Sequence, residues 1–210
     1  MLLVVALLPG AITEAKFQWH LIKQQQGISI YENTNKSTRI KTFKGEVVVK
    51  STLTAIVALL EDVPAMPRWM YETKSAKILK KVNYQASYVY VVTDLPWPFI
   101  NRDSISLAQL SQNKQTRRVI ITIKSVPGFI KRKPGFLRII DMQGRWILTP
   151  RSKDLIHIVY EMRVDPGGNL PKWLVNAFSV DMPFETLLNL RKEIIRPKYF
   201  NAQRSYIQEP

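Results

Sequence analysis

With 210 residues the chain is long enough for one domain with a sizeable core, and its ordinary share of apolar residues excludes a disordered or fibrous protein. Lys and Arg total 31 against 16 Asp and Glu, a net charge of +15 that favours anionic partners. The absence of Cys excludes disulfides and thiolate chemistry, and no charge-free apolar run of about 20 residues is present to cross a bilayer.

Residues 2–12 are apolar and uncharged, and the small Ala15 precedes the polar Lys16. The run and the small residue resemble a secretory signal, but no Lys or Arg stands ahead of it, so residues 1–15 read as the remnant of a signal that starts upstream or, in the alternative, as a buried helix; the domain proper is read at 16–200 and a tail at 201–210. A cleaved signal implies a periplasmic or otherwise exported protein; an uncleaved segment implies a cytoplasmic one. Phe17, Trp19, Leu21 and Ile22 predict a short amphipathic helix ending near Gly27. Ile28 to Tyr31 reads as a strand, Asn33 to Ser37 as a polar turn and Ile40 to Lys50 as a second strand. Leu53 to Leu60 predicts a helix capped by Ser51 or Thr52, and Pro67 opens a further helical turn through Trp69 and Met70.

From there the pattern is strands only, near 76–82, 86–95, 103–112, 118–125, 136–141, 144–149 and 154–164. In the last, Ile156, Ile158, Tyr160, Met162 and Val164 alternate with polar neighbours, the mark of an antiparallel sheet with one apolar face. The chain then gives its longest helical pattern, roughly Leu170 to Ile195, about 39 Å at 1.5 Å per residue. Its apolar stripe includes Leu174, Phe178, Phe184 and Leu188, with Asn169 as N-cap and Pro171 in the first turn. Pro183 is expected to break this helix, with Asp181 capping the second half. Strands followed by one apolar-faced helix predict an α+β fold, a curved antiparallel sheet gripping a C-terminal helix.

Three segments in register carry a resemblance. They are Asp94-Leu95-Pro96-Trp97-Pro98 followed by Asn101-Arg102-Asp103, then Gly144-Arg145-Trp146-Ile147-Leu148-Thr149-Pro150, then the run from Asp165-Pro166-Gly167-Gly168 to Asn176. Together they resemble START domains, the lipid-transfer domains related to steroidogenic acute regulatory protein, and most of all the single-domain bacterial members. The resemblance covers roughly residues 16–196. It implies a helix-grip fold with an apolar tunnel for one lipid, gated by the last helix and an adjacent Ω-type loop.

On that reading the lipid-binding residues are Val89, Val91, Ala108, Leu110, Ile158, Tyr160, Met162, Leu174, Phe178, Phe184 and Leu188. The resemblance makes Arg102, Asp103, Trp146, Pro166 and Gly167 structural, the Arg102–Asp103 pair fixing the turn at the sheet edge. Some animal members carry a Glu–Arg pair inside the cavity; the strands here lack it between residues 82–93 and 104–113, which implies apolar walls and a greasy ligand. In the segment from Val126 to Phe136, Phe129 and Ile130 adjoin Lys131, Arg132 and Lys133, the composition of a membrane-docking loop.

The functional expectation is a non-enzymatic protein that binds and transfers a phospholipid, fatty acid or sterol-like lipid, touches an anionic membrane transiently and is a monomer. No nucleic-acid partner is expected, because no helix-turn-helix, zinc-finger or aromatic RNA-binding signature accompanies the charge. No catalytic residue, metal site or cofactor is expected: the two histidines, His20 and His157, lie on different elements, and no nucleophile elbow or phosphate loop is present. The alternative is a polyketide cyclase or aromatase on the same fold.

Overall fold

The computed structural model describes residues 18–33 and 41–210; the segment read as a signal remnant and most of the expected polar turn at 33–37 lie outside the described residues. In chain order the elements are β1 (Trp19–Gln25), β2 (Ile28–Asn33), β3 (Lys41–Lys50), α1 (Leu53–Glu61), α2 (Met66–Trp69), β4 (Thr73–Lys81), β5 (Ala86–Thr93), β6 (Arg102–Gln112), β7 (Val119–Ser125), β8 (Leu137–Arg138), β9 (Met142–Ser152), β10 (Leu155–Val164), α3 (Lys172–Glu193) and α4 (Pro197–Phe200). One sheet runs β1-β2-β3-β10-β9-β7-β6-β5-β4, antiparallel throughout, with the short β8 parallel to β6. α3 packs along it against β2 and β3, giving the helix-grip architecture.

The alternation read in β10 places Ile156, Ile158, Tyr160 and Met162 in the core, where β10 is flanked by β3 and β9. The stretch from Trp19 is a strand, in place of the amphipathic helix expected there. Gln26 and Gly27 take positive φ angles of 53° and 73° and close a tight turn, so the segment pairs back onto β2.

α3 begins at Lys172, with Pro171 in the N-cap position that the sequence assigned to Asn169. It runs through Pro183 without ending, and Asp181 caps nothing: it lies within the helix, 3.6 Å from the Lys23 Nζ. Packing explains the continuity. A Cβ on Gly45 of β3 would stand 2.7 Å from Leu187 Cδ1 and 3.5 Å from Pro183 Cβ, so the missing side chain lets the helix lie directly on the strand. Close burial of Pro183, Phe184 and Leu187 offsets the one backbone hydrogen bond that proline forfeits.

The back half of α3 is also pinned by polar groups. The buried Thr186 hydroxyl accepts from the Tyr71 N–H at 3.2 Å, and the buried Glu193 carboxylate accepts from Arg68 at 3.0 Å. Arg68 donates on to the Tyr199 hydroxyl, which donates to Asp62 at 2.7 Å. Burial pushes the Tyr199 phenol up to about 12, and the Asp62 hydrogen bond adds to it. Residues 201–210 fold back instead of trailing: Ile207 is buried, and the Glu209 carboxylate accepts from the Leu53 and Thr54 N–H groups at 2.9 and 2.7 Å. With the Thr52 hydroxyl accepting from Ala55 N–H at 3.1 Å, this satisfies the first turn of α1.

Candidate functional site

Between the sheet and the helices lies a cavity in two parts. An outer part of about 150 Å³ lies under the front half of α3, and an inner part of about 380 Å³ extends toward α1 and α4. Both parts are lined by Met66, Met70, Val89, Ala108 and Ile123, which mark where they meet. Strand alternation builds the wall. On β6, Arg102, Ser104, Ser106 and Ala108 face the outer part and Leu110 the inner, while Asp103 and Ile105 belong to the opposite face of the sheet.

Seven of the residues expected to meet a lipid lie on this wall: Val89, Val91, Ala108, Leu110, Tyr160, Met162 and Phe178. Four do not. Ile158 and Phe184 are sealed in the main core, Leu188 packs on its margin and Leu174 is buried off the wall. The reason is that the apolar stripe of α3 divides: its back half closes the core against Gly45, and only Val175, Phe178 and Met182 roof the outer cavity. Sequence reasoning missed Ser104 and Ser106, which share the face of Ala108, and the methionines other than Met162.

Trp146 lies between both sets of contacts, stacked on Tyr160 at 4.0 Å and edge-on to Trp69 at 6.1 Å. Burial pushes the Tyr160 phenol well above its ordinary range. Gly144, two residues before Trp146, has a spatial role: a Cβ there would fall 2.5 Å from Met162 Sδ, so its absence leaves Met162 room on the cavity side.

Arg102 and Asp103 are not partners of one another. Arg102, buried on the cavity side, donates from Nε to Pro166 O at 3.1 Å, from Nη2 to Gly167 O at 3.0 Å and from Nη1 to Ile100 O. It ties β6 to the Pro166-Gly167 turn that leads into α3, and burial lowers its affinity for its proton. Gly167 and Gly168 both take positive φ (66° and 69°), which that turn requires. Arg102→Met removes three charge-assisted bonds to carbonyls and is expected to cost about 1.5–3 kcal/mol by urea denaturation.

Asp103 points the other way and receives a fork from Arg138: Nε to Oδ1 and Nη2 to Oδ2, both 2.8 Å, with each side chain 1% exposed. The Tyr90 hydroxyl donates to the same carboxylate at 3.1 Å. Burial pushes the Asp103 carboxyl up, but the Arg138 hydrogen bonds and charge outweigh it and hold it below the usual range. Burial, then the Asp103 charge, lifts Tyr90 to about 12.

The segment from Val126 to Phe136 covers that outer face. Ile130 packs on Tyr90, Val92 and Ile105, and Phe129 stacks on Tyr88 at 4.0 Å while staying 39% exposed, so the expected inserting tip is partly turned onto the sheet. Arg138 Nη1 holds the segment by donating to Pro127 O at 2.6 Å and Ile130 O at 3.3 Å. Lys131, Arg132 and Lys133 remain exposed. The large apolar groups most open to solvent beside the outer cavity are instead Trp97 (92%) and Ile100 (60%) of the loop before β6, and Trp173 (59%) of α3. Phe99 of that loop meets Trp173 edge-on at 6.4 Å, so loop and helix meet over the outer end.

Residues 9–187 match the START domain family. The chain belongs to the START domain family. An uncharacterised protein of Pseudomonas aeruginosa is 31% identical over 173 residues, 82% of this chain and 85% of that protein. The phosphatidylcholine transfer protein of Bos taurus is 24% identical over 162 residues, 75% of each chain. Among solved structures, the STAR-related lipid transfer protein fragment from Xanthomonas axonopodis superposes with a TM-score of 0.77 at 30% identity, covering 84% of this chain and 98% of that one. Human STARD10 superposes with a TM-score of 0.73 at 23% identity, covering 85% and 74%.

In this START domain the carboxylates beside the inner cavity are engaged with neighbouring side chains, while Lys81 at the same cavity is exposed. Glu61 pairs with Arg204 at 2.9 Å and accepts from the Tyr206 hydroxyl at 2.6 Å, and Asp62 pairs with Lys198 and Tyr199. Among the described residues no group of three His, Asp or Glu comes together as a metal site.

Proposed function

We propose that this START domain holds one lipid in the two-part cavity and exchanges it with a membrane. The observation that carries the reading is the division of α3: its back half is fixed to the sheet, while Val175, Phe178 and Met182 of its front half roof an apolar space. The similarity to lipid transfer proteins supports the ligand class, and a phospholipid comes before a fatty acid or sterol-like molecule because of the phosphatidylcholine transfer protein relative. A chain leaving a bilayer for water loses about 0.8 kcal/mol per CH₂, and an apolar tunnel that covers it lowers that barrier. Native mass spectrometry of protein purified from its own cells tests this: one co-purified lipid per chain is expected, and an empty protein that also takes nothing from vesicles refutes it.

The paired carboxylates at the inner rim and the largely apolar walls favour binding over catalysis, so the domain acts as a carrier.

Docking is assigned to two surfaces. Trp97, Ile100 and Trp173 supply exposed apolar contacts at the outer end, and the +15 charge, including Lys131, Arg132 and Lys133, supplies attraction to anionic headgroups. In sedimentation with anionic vesicles, Trp97→Ala with Trp173→Ala is expected to weaken binding at every salt concentration. Replacing Lys131, Arg132 and Lys133 by Ala is expected to weaken it mainly at low salt, where screening is least. Unchanged sedimentation of the triple variant at low salt removes the basic segment from the docking surface.

A further inference from the structure

The cavity wall collects methionine. Of the six in the chain, all but Met1 line it: Met66 and Met70 at α2, Met142 on β9, Met162 on β10 and Met182 on α3. Five side chains from four elements therefore converge on one surface, where the core cluster borders the cavity. Met66 and Met70 stand at the junction of the two parts, Met182 hangs from the roof, and Met162 occupies the space that Gly144 leaves open.

Methionine is unbranched, with three rotatable bonds and a polarisable sulfur, so it fits irregular neighbours that a branched side chain of preset shape does not. The volumes make this matter. At about 150 and 380 Å³ the two parts are at or below the usual size of a small-molecule site, so a lipid chain running from one to the other displaces the side chains between them.

We infer that the methionines form an adjustable wall, and that the protein accepts apolar chains differing in saturation, kink and branching with little preference among them. The inference rests on the lipid-binding reading and adds the class of chain. Selection among lipids then falls to groups other than the wall.

The test uses vesicles of phosphatidylcholine, phosphatidylethanolamine and phosphatidylglycerol, each carrying saturated, cis-unsaturated and methyl-branched chains in equal amounts. After re-isolation, native mass spectrometry counts the chains held by the protein. The wild type is expected to mirror the vesicles within about threefold, whereas a variant with Met66→Leu, Met70→Leu, Met142→Leu, Met162→Leu and Met182→Leu skews by about tenfold or more. Protein containing norleucine, unbranched and free of sulfur, is expected to behave as the wild type, and it serves if the leucine variant does not fold. Sharp chain selection by the wild type or the norleucine protein, or none by a folded leucine variant, overturns the inference and leaves lipid binding standing. A wild type that takes no lipid of any headgroup overturns both.

Discussion

Asp103→Ala is expected to cost the fold about 3–5 kcal/mol, because it strands the Arg138 guanidinium in a site where each partner is 1% exposed. The loss extends beyond one ion pair. Arg138 also holds Pro127 O and Ile130 O, so without its counter-charge the covering segment loses its anchor and Tyr90, Val92 and Ile105 lose their cover. Urea denaturation measures the cost, and a change under about 1 kcal/mol would place the pair among weak surface bridges. The pair also sets an acid limit. The Asp103 carboxyl lies below its ordinary value in the folded state, so its contribution is fully present above the unfolded value of about 3.9 and fades as pH falls through the folded one. Between neutrality and about pH 5 the contribution is constant; below about pH 5 the wild type is expected to lose stability more steeply than Asp103→Asn.

The largest functional effect is expected from Ala108→Trp. Ala108 lines both parts of the cavity, at their junction with Met66, Met70, Val89 and Ile123. An indole there fills the passage, and lipid uptake from vesicles is expected to fall by about tenfold or more, or about 1.4 kcal/mol in binding. Because the ring enters existing space, the stability cost stays within the roughly 1–3 kcal/mol of an overpacked core. A folded variant with wild-type uptake would show that the ligand does not pass this point.

Strand-forming stretches with a clean period were legible in the sequence. The alternation of Ile156, Ile158, Tyr160 and Met162 marked the strand and its buried face together. β1 was not legible, because its register slips between Leu21 and Lys23 and the period of two is lost where it was needed. The cavity wall was half legible. Strand alternation put Val89, Val91, Ala108 and Leu110 on one side, but the α3 stripe could not reveal that Phe184 and Leu188 serve a different half of the helix from Phe178. That division depends on Gly45, well over a hundred residues earlier, which gives no sign in the sequence of α3. The partner of Asp103 was equally hidden: Arg138 stands in a two-residue strand, and only the parallel pairing of β8 with β6 brings it alongside.

The cap on α1 has a consequence for how the molecule is made. Leu53 and Thr54 receive their acceptor from Glu209, 156 and 155 positions later in the chain. On a ribosome, this second cap on α1 cannot form until Glu209 has emerged. Closing so long a loop is entropically costly, so this cap is expected to form late, after the shorter loops between neighbouring strands have closed.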